Sequence, residues 1–358
     1  MKKICSYIFC LIFLGCAVFI FSNCNISQNK TSAEHFKDDD FNKKVSFACW
    51  NVQTFFDAKT NGNEYAEFKK EGTWSAEKYS VRLKRLCEVL CNLNPDVFVL
   101  EEVESLSVVQ DISNFLAGNS WSEKKRWNYV CFAKNKDSAI GCAVFSRFAL
   151  QDLKIHNLDV RIQKKKQPNC RPLMQVCINV DGKKLILFVN HWKSKSGGEA
   201  ESEIWRDWQE ALLAFCAKYE FETSQNTAFV FCGDFNRDAD EFVCDFKGLN
   251  EVFDDYEFET NVVLRTFNLN ECKSDFVRVF SPWFCKSGNF STEKGSYFYK
   301  ENWERIDNIF AFGSLKISDF TPAFEGTWTK ENGIPFKYMI YNGEGYSDHL
   351  PLTCNLLF

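Results

Sequence analysis

Six short apolar runs in this chain each meet polar or charged side chains at one end, and this pattern constrains the fold more than any other feature. The junctions are Trp50-Asn51 after VSFAC, Glu101-Glu102 after DVFVL, and Asn190-His191-Trp192-Lys193-Ser194 after LILFV. Next come Gly233-Asp234-Phe235-Asn236 after FVFC, Arg305-Ile306-Asp307 leading into NIFAF, and Ser347-Asp348-His349 before LPLTC. Runs of four to eight residues rich in Val, Ile and Phe read as buried strands. A strand end is a rigid platform from which a side chain can be aimed. Each junction alone is weak, because a strand-end carboxylate is more often a helix cap, and Gly-Asp-Phe-Asn makes a respectable β-turn. As a set they place ionisable groups repeatedly at the rim of an apolar core.

Helical patterns lie between the strands. Leu83, Leu86, Val89 and Leu90 share one face of a helix expected from about Ser75 to Leu93, and a second helix is expected from about Ala200 to Tyr219. The segments AIGCAVFS, LMQVCINV and KLILFVNH read as further strands, some adjoining as hairpins. This mixture predicts a layered α/β protein with mixed sheets. No Pro/Gly/Ser-rich linker and no 20–50-residue repeat follows Val45, so residues 44–358 read as one domain.

Composition adds limits. With 358 residues and 45% apolar side chains the chain can bury a full-sized core, so a disordered chain or a disulfide-stapled mini-fold is excluded. A net charge of -5 argues against a protein that coats nucleic acid with a basic face, but not against an enzyme whose carboxylates surround a metal. Most of the 17 cysteines sit in apolar runs, as in FACWN and FVFCGD, and no C-x-x-C pair occurs. They read as small buried hydrophobes rather than a zinc site or a disulfide ladder. The 37 phenylalanines look like compositional bias.

The N-terminus has the layout of an export signal: Lys2 and Lys3, an uncharged run from Ile4 to Phe21, then polar residues. Cys24, after Phe21-Ser22-Asn23, resembles the lipidated cysteine of a bacterial lipoprotein, with Cys16 a second candidate, an uncleaved signal anchor the runner-up and an ordinary signal peptide without a lipid the plain alternative. Residues 1–24 are thus expected to be a signal with a lipid-attachment box, and 25–43 a flexible tether containing Asp38-Asp39-Asp40. An exported lipoprotein, anchored in the membrane at the cell surface or periplasmic face, follows as an expectation.

The polar junctions contain the parts that metal-assisted phosphate-ester hydrolysis needs. Mg²⁺ prefers hard oxygen ligands and keeps several waters, so Glu102, Asp348 and the amide of Asn51 suffice as a metal set. A carboxylate with a neighbouring amide, Asp234-x-Asn236, can hold and polarise a water. His191 and His349, two of only four histidines, can donate to developing phosphoryl charge. An isolated histidine is more often a satisfied structural residue, and only the motif context reverses that preference.

With these motifs in this order, the chain resembles the endonuclease/exonuclease/phosphatase superfamily over about Val45 to the C-terminus, within a bacterial branch. The resemblance implies the deoxyribonuclease I-like fold, a four-layer sandwich of two mixed β-sheets flanked by helices. It implies Mg²⁺ (or Mn²⁺) as cofactor and a metal side formed by Asn51 and Glu102 in LEEVE, where the usual pattern has Gln at the position of Glu101. Asn190, His191 and Lys193 match N-H-x-K-S; Asp234 and Asn236 match G-D-F-N. Asp307 resembles the carboxylate that orients the last histidine, Asp348-His349 match S-D-H-x-P, and Arg171 stands where an arginine often contacts phosphate. Trp192, Tyr297, Tyr299 and Trp303 read either as stacking residues or as loop anchors, and the basic loop Arg161 to Arg171 either as a backbone track or as a solvated run.

The leading expectation is an extracytoplasmic nuclease that cleaves DNA or RNA by in-line attack of an Asp-activated water. Alternatives are a phospholipid or sphingomyelin phosphodiesterase, a phosphatase of a soluble phosphoester, and a non-catalytic binding lipoprotein; fold does not settle substrate. No protein partner is inferred.

Overall fold

A computed structural model describes residues 43–60, 62–118, 126–161, 166–224, 227–242, 261–264, 276–285 and 289–358. The export signal, Cys16, Cys24 and the tether up to residue 42 lie outside the described residues, as do Lys164 and Lys165 of the basic loop. Among the described residues, no helix is long and apolar enough to cross a membrane.

In chain order the first elements are β1 (Lys44–Phe55), α1 (Ala66–Lys69), α2 (Ala76–Leu93), β2 (Val97–Val103), α3 (Leu106–Gly118), β3 (Tyr129–Ala133), β4 (Gly141–Ser146) and β5 (Ala149–His156). There follow β6 (Leu173–Val180), β7 (Lys183–His191), α4 (Glu199–Thr223), β8 (Ala228–Asp234), β9 (Asn261–Leu264) and β10 (Phe276–Val279). The last are β11 (Tyr297–Tyr299), β12 (Asn302–Glu304), β13 (Asp307–Gly313), β14 (Lys316–Pro322) and β15 (Leu352–Leu357). They form a six-stranded sheet in the order β14-β15-β1-β2-β4-β3 and a five-stranded sheet in the order β13-β8-β7-β6-β5, with β9–β10 and β11–β12 as separate pairs. Both large sheets are mixed: β1 runs parallel to β2 and β7 parallel to β8, among antiparallel neighbours.

Strand alternation builds the layers. Val45, Phe47 and Cys49 of β1 and Val97 and Val99 of β2 face the other sheet, where Met174, Val176, Leu187, Val189, Val230 and Ile309 meet them. The opposite parity, Ala48, Trp50, Phe98 and Leu100, packs under Leu86, Val89 and Leu90 of α2 and Val108 and Ile112 of α3. On the outside of the second sheet, Leu213, Ala214 and Ala217 of α4 cover Phe188, Phe229, Phe231 and Phe310. A strand covered on both faces must be apolar at every position, which is why the runs are continuous rather than alternating. Much of the phenylalanine excess is spent here, at about 1.5–3 kcal/mol for each fully buried side chain. The result is the expected helix–sheet–sheet–helix sandwich.

Local rules explain the helix ends. Ser75 caps α2 by accepting from Lys78 N at 3.2 Å, and Asn94 closes it in the left-handed region at φ 49°. Helix α4 continues to Thr223, past the expected Tyr219. Helix α3 escaped the pattern reading because Ser, Asn and β-branched residues lower its propensity, although Val108, Val109, Ile112 and Leu116 form its buried face. The eleven described cysteines are free thiols and eight are buried, as expected of small hydrophobes. Trp192, 2% exposed, meets Phe235 edge-to-face at 4.8 Å in the α4 core, so it is an anchor and not a rim residue.

Candidate active site

The site is the polar continuation of the inter-sheet core. Inward positions 45, 47 and 49 of β1 lead to Asn51, and 97 and 99 of β2 lead to Glu101. In the second sheet 187 and 189 lead to His191, 230 and 232 to Asp234, and 311 and 309 back to Asp307. Because β1 and β2 are parallel, and β7 and β8 also, their C-terminal ends finish at common edges. Register then sets Asn51 beside Glu101, His191 beside Asp234, and Asp307 opposite Asp234. The two sheets touch where Asn51 Nδ2 donates to Asp234 Oδ2 at 3.0 Å.

Asp234, Asp307 and His349 converge with ligand atoms within 4.8 Å of one another. His349 Nδ1 lies 2.8 Å from Asp307 Oδ2, and its backbone is fixed by Trp50 Nε1 donating to its carbonyl at 2.9 Å and by Ser347 Oγ accepting its N–H at 3.1 Å. Burial opposes a charge on this imidazole, but Asp307, Asp348 and Asp234 outweigh it and raise its pKa well above the ordinary histidine value. His191 goes the other way, lowered well below that value by burial and by the positive charges of Arg171 and His349. Its Nε2 lies 3.7 Å from both Glu102 Oε1 and Asp234 Oδ2, while its buried Nδ1 has no hydrogen-bond partner among the described residues. Asp234 is pushed up to about 7 by burial and the neighbouring Asp307. Two imidazoles held in opposite protonation states beside a carboxyl that titrates near neutrality are the equipment of acid–base chemistry.

Glu102 reaches the site through strained backbone. Strand parity would send it outward with Phe98 and Leu100, but the pairing shifts register on both sides of β2 between Glu101 and Val103, and Glu102 adopts φ 66°. The irregularity turns its carboxylate to Asn51 Nδ2 at 3.3 Å, with Thr54 N donating to its other oxygen. Such a conformation costs of order 1–3 kcal/mol and persists only where surrounding structure enforces it. The β1 turn that supplies Thr54 N is itself held by Arg82 of α2, which motif reading missed. Its buried guanidinium donates to the carbonyls of Val52 (2.9 Å), Gln53 and Thr54 (3.0 Å), and stacks 3.8 Å from the centroid of Tyr338. The available signal was an arginine on the stripe that includes Leu86 and Val89.

Glu101 is fully buried behind this rim. Cys49 Sγ donates to its Oε1 at 3.0 Å and its Oε2 has no hydrogen-bond partner among the described residues. Burial first, and then Asp307 and Asp234, raise its pKa well above the carboxylate range, so it is a neutral acid where the usual pattern has a neutral amide. Gly233 has φ 124°, and a Cβ there would fall 1.9 Å from Asn190 O, so only glycine lets β7 and β8 approach at their functional ends. Asn236, also left-handed at φ 49°, donates its N–H to Asp234 Oδ1 at 2.8 Å and its Nδ2 to Trp192 O at 3.2 Å. Arg237, a second residue motif reading missed, ties this turn to Glu203, Asp207 and Glu210 of α4.

The remaining expected residues divide. Arg171 borders His191 and donates to Trp192 O at 3.0 Å. The Asn190 amide is engaged at both ends, donating to Phe188 O (3.1 Å) and Cys232 O (3.4 Å) and accepting from Trp192 Nε1 (2.9 Å), so it acts as a structural tie between strand ends. Lys193 Nζ donates to Ser194 O at 2.9 Å and Ser196 O at 3.2 Å. Asp348 stands at the rim, one oxygen 3.1 Å from Lys337 Nζ and the other 3.9 Å from His349 Nε2.

Two mixed sheets that pool an Asp–His pair, a second imidazole and clustered carboxylates at one edge define a phosphoesterase of the deoxyribonuclease I-like class. The chain belongs to the Endonuclease/Exonuclease/phosphatase family, which residues 46–356 match. Among solved structures it is similar to truncated TDP2 from Caenorhabditis elegans, with 16% identity, a TM-score of 0.53, and 88% of this chain and 98% of that chain covered. It is also similar to the human Nocturnin catalytic domain with bound sulfate, at 16% identity and a TM-score of 0.52, covering 88% and 95% of the two chains. At these identities the likeness is one of fold. No curated protein sequence matches.

Proposed function

We propose that this protein is an extracytoplasmic, divalent-metal-dependent phosphodiester hydrolase acting on nucleic acid. The observation that carries the reading is the charge balance of the site. Glu102, Asp234, Asp307 and Asp348 gather there against protonated His349, Arg171 beside His191 and Lys337 on one oxygen of Asp348, while the Lys193 ammonium is tied to loop carbonyls. A diester brings one negative charge and a terminal monoester nearly two, so an acidic site with few cations suits the diester.

The donor set fits a hard divalent ion. Oxygens of Glu102 and Asp234 crowd the same amide nitrogen of Asn51, and among the described residues neither carboxylate is bonded to a Lys or Arg. Glu102, with Asp348 at the rim, would hold Mg²⁺ or Mn²⁺, which when bound would neutralise charge on the phosphoryl oxygens. Asn51, expected as an amide-oxygen ligand, instead turns its Oδ1 to Gln53 N at 3.0 Å and its Nδ2 to the carboxylates. Asp234, aligned by Asn236, accepts the proton of the attacking water. His349, oriented by Asp307, carries a proton to deliver, and neutral His191 donates a hydrogen bond to the phosphate. The N-terminal signal would export the enzyme, and a lipid on Cys24 would anchor it; Cys24→Ala should then release it from the membrane fraction or leave it unprocessed.

The test is a substrate panel. Bis(p-nitrophenyl) phosphate and plasmid DNA should be hydrolysed in preference to p-nitrophenyl phosphate, with DNA cleavage weakening as salt rises. Monoester turnover with inert DNA would make the protein a phosphatase, and sphingomyelin turnover without DNA cleavage a lipid phosphodiesterase.

A further inference from the structure

The β11–β12 hairpin belongs to neither large sheet, yet it is fastened to the catalytic histidine. Tyr297 forms a backbone bridge with His349, Leu350 N donates to Ser296 O at 2.7 Å, and Ser296 Oγ accepts from Asp307 N at 3.3 Å. Its two faces differ in kind. Phe298 and Trp303, paired across the strands at 5.0 Å, lie on the side where Trp303 packs against the α2/α3 core. Tyr297 and Tyr299, two residues apart, share the other side, which no apolar cluster covers among the described residues.

On that open side the rings form a continuous series. The His349 imidazole and Tyr297 ring have centroids 4.7 Å apart, Tyr297 and Tyr299 are stacked at 6.1 Å with planes 21° apart, and Lys300 Nζ lies 5.1 Å from the Tyr299 centroid. Exposure increases outward, from buried His349 through half-buried Tyr297 to Tyr299 at 49%. The turn that presents them is strained: its two central residues, Lys300 and Glu301, both have positive φ, 45° and 66°, although neither is Gly, Asn or Asp. Strain kept in a two-residue turn, on a hairpin tied to the catalytic pair, motivates a functional reading.

We infer that Tyr297 and Tyr299 form a stacking ladder for a nucleobase adjacent to the scissile phosphate, with Lys300 at its outer end facing the strand's backbone charge. Flat aromatic faces in series, leading away from the imidazole that meets the phosphate, match the geometry of successive bases, and stacking tolerates any base because each has a π-face. This inference rests on the nucleic-acid reading of the site.

The experiment uses the full chain and a short oligonucleotide in which a single linkage is phosphodiester and the rest are phosphorothioate. The nucleotide on each side of that linkage is in turn left intact or replaced by a base-less tetrahydrofuran unit. Removing the base on one side should raise KM about tenfold, the value of one stacked base. Tyr299→Ala should raise KM at least about fivefold for the base-bearing substrate and much less for the base-less one, while Tyr299→Trp retains the dependence on the base. Cleavage with a KM that responds equally to Tyr299→Ala whether or not the base is present would overturn the ladder and leave the nuclease reading standing. An oligonucleotide that is not cleaved at all, by a chain that turns over another phosphodiester, would overturn both.

Discussion

His349 and Asp307 are joined through Nδ1 and Oδ2 at 2.8 Å, and this bond ties the two sheets together, since Asp307 begins β13 in one and His349 lies three residues before β15 in the other. The carboxylate can only accept, so Nδ1 carries the proton and Nε2 is the atom left facing the cleft. Asp307→Asn should therefore lower turnover by at least about 10²-fold with little change in thermal stability. NMR titration should also show the His349 pKa falling, because the charge that outweighs its burial is gone. A variant with native turnover would remove the pair from the chemistry.

Metal dependence gives a second expectation. EDTA should abolish hydrolysis and Mg²⁺ or Mn²⁺ restore it, as hard oxygen donors hold no preference for soft ions. Glu102→Gln should shift the Mg²⁺ activation curve to concentrations at least about tenfold higher, read from initial rates across a metal titration. Full activity in EDTA would refute the assignment.

Glu101→Gln tests the buried acid. In the folded protein Glu101 holds its proton well above the pH at which the unfolded chain loses it. The folded state thus binds more protons at this site, and the contribution of Glu101 to wild-type stability falls as pH rises above about 4.3, by at most about 1.4 kcal/mol per pH unit. Glutamine does not titrate, so the stability of Glu101→Gln relative to wild type should rise from pH 5 to pH 8 in urea unfolding. A pH-independent difference would mean that Glu101 is not held neutral.

Gly233→Ala should unfold the strand ends before chemistry can be assessed. Its φ of 124° and a Cβ 1.9 Å from Asn190 O combine steric overlap with backbone strain, for an expected loss of at least about 3 kcal/mol by chemical denaturation.

The sandwich and most of the groups gathered at its candidate site were legible as a linear pattern. Strand parity places residues two apart on one face, so an apolar run ending in Asn51, His191 or Asp234 announces a core that turns polar at its rim. Motif order supplied Asp307 and His349. Other features depend on contacts between distant segments. Glu102 faces the site only because β2 departs from regular pairing and Arg82, from a helix, fastens the neighbouring β1 turn. Asn190 fits its motif, yet its amide serves strand ends, a use set by Cys232 across the sheet. Histidines of identical chemistry acquire opposite protonation because Asp307 lies against one and outweighs its burial, while burial, with Arg171 nearby, keeps the other neutral. Tyr297 and Tyr299 became a ladder when their hairpin met His349. Parity and motif spacing are properties of neighbouring residues, readable along the chain; the direction of a strained carboxylate and the charge on a buried imidazole are set by groups brought close only when the two sheets close on each other.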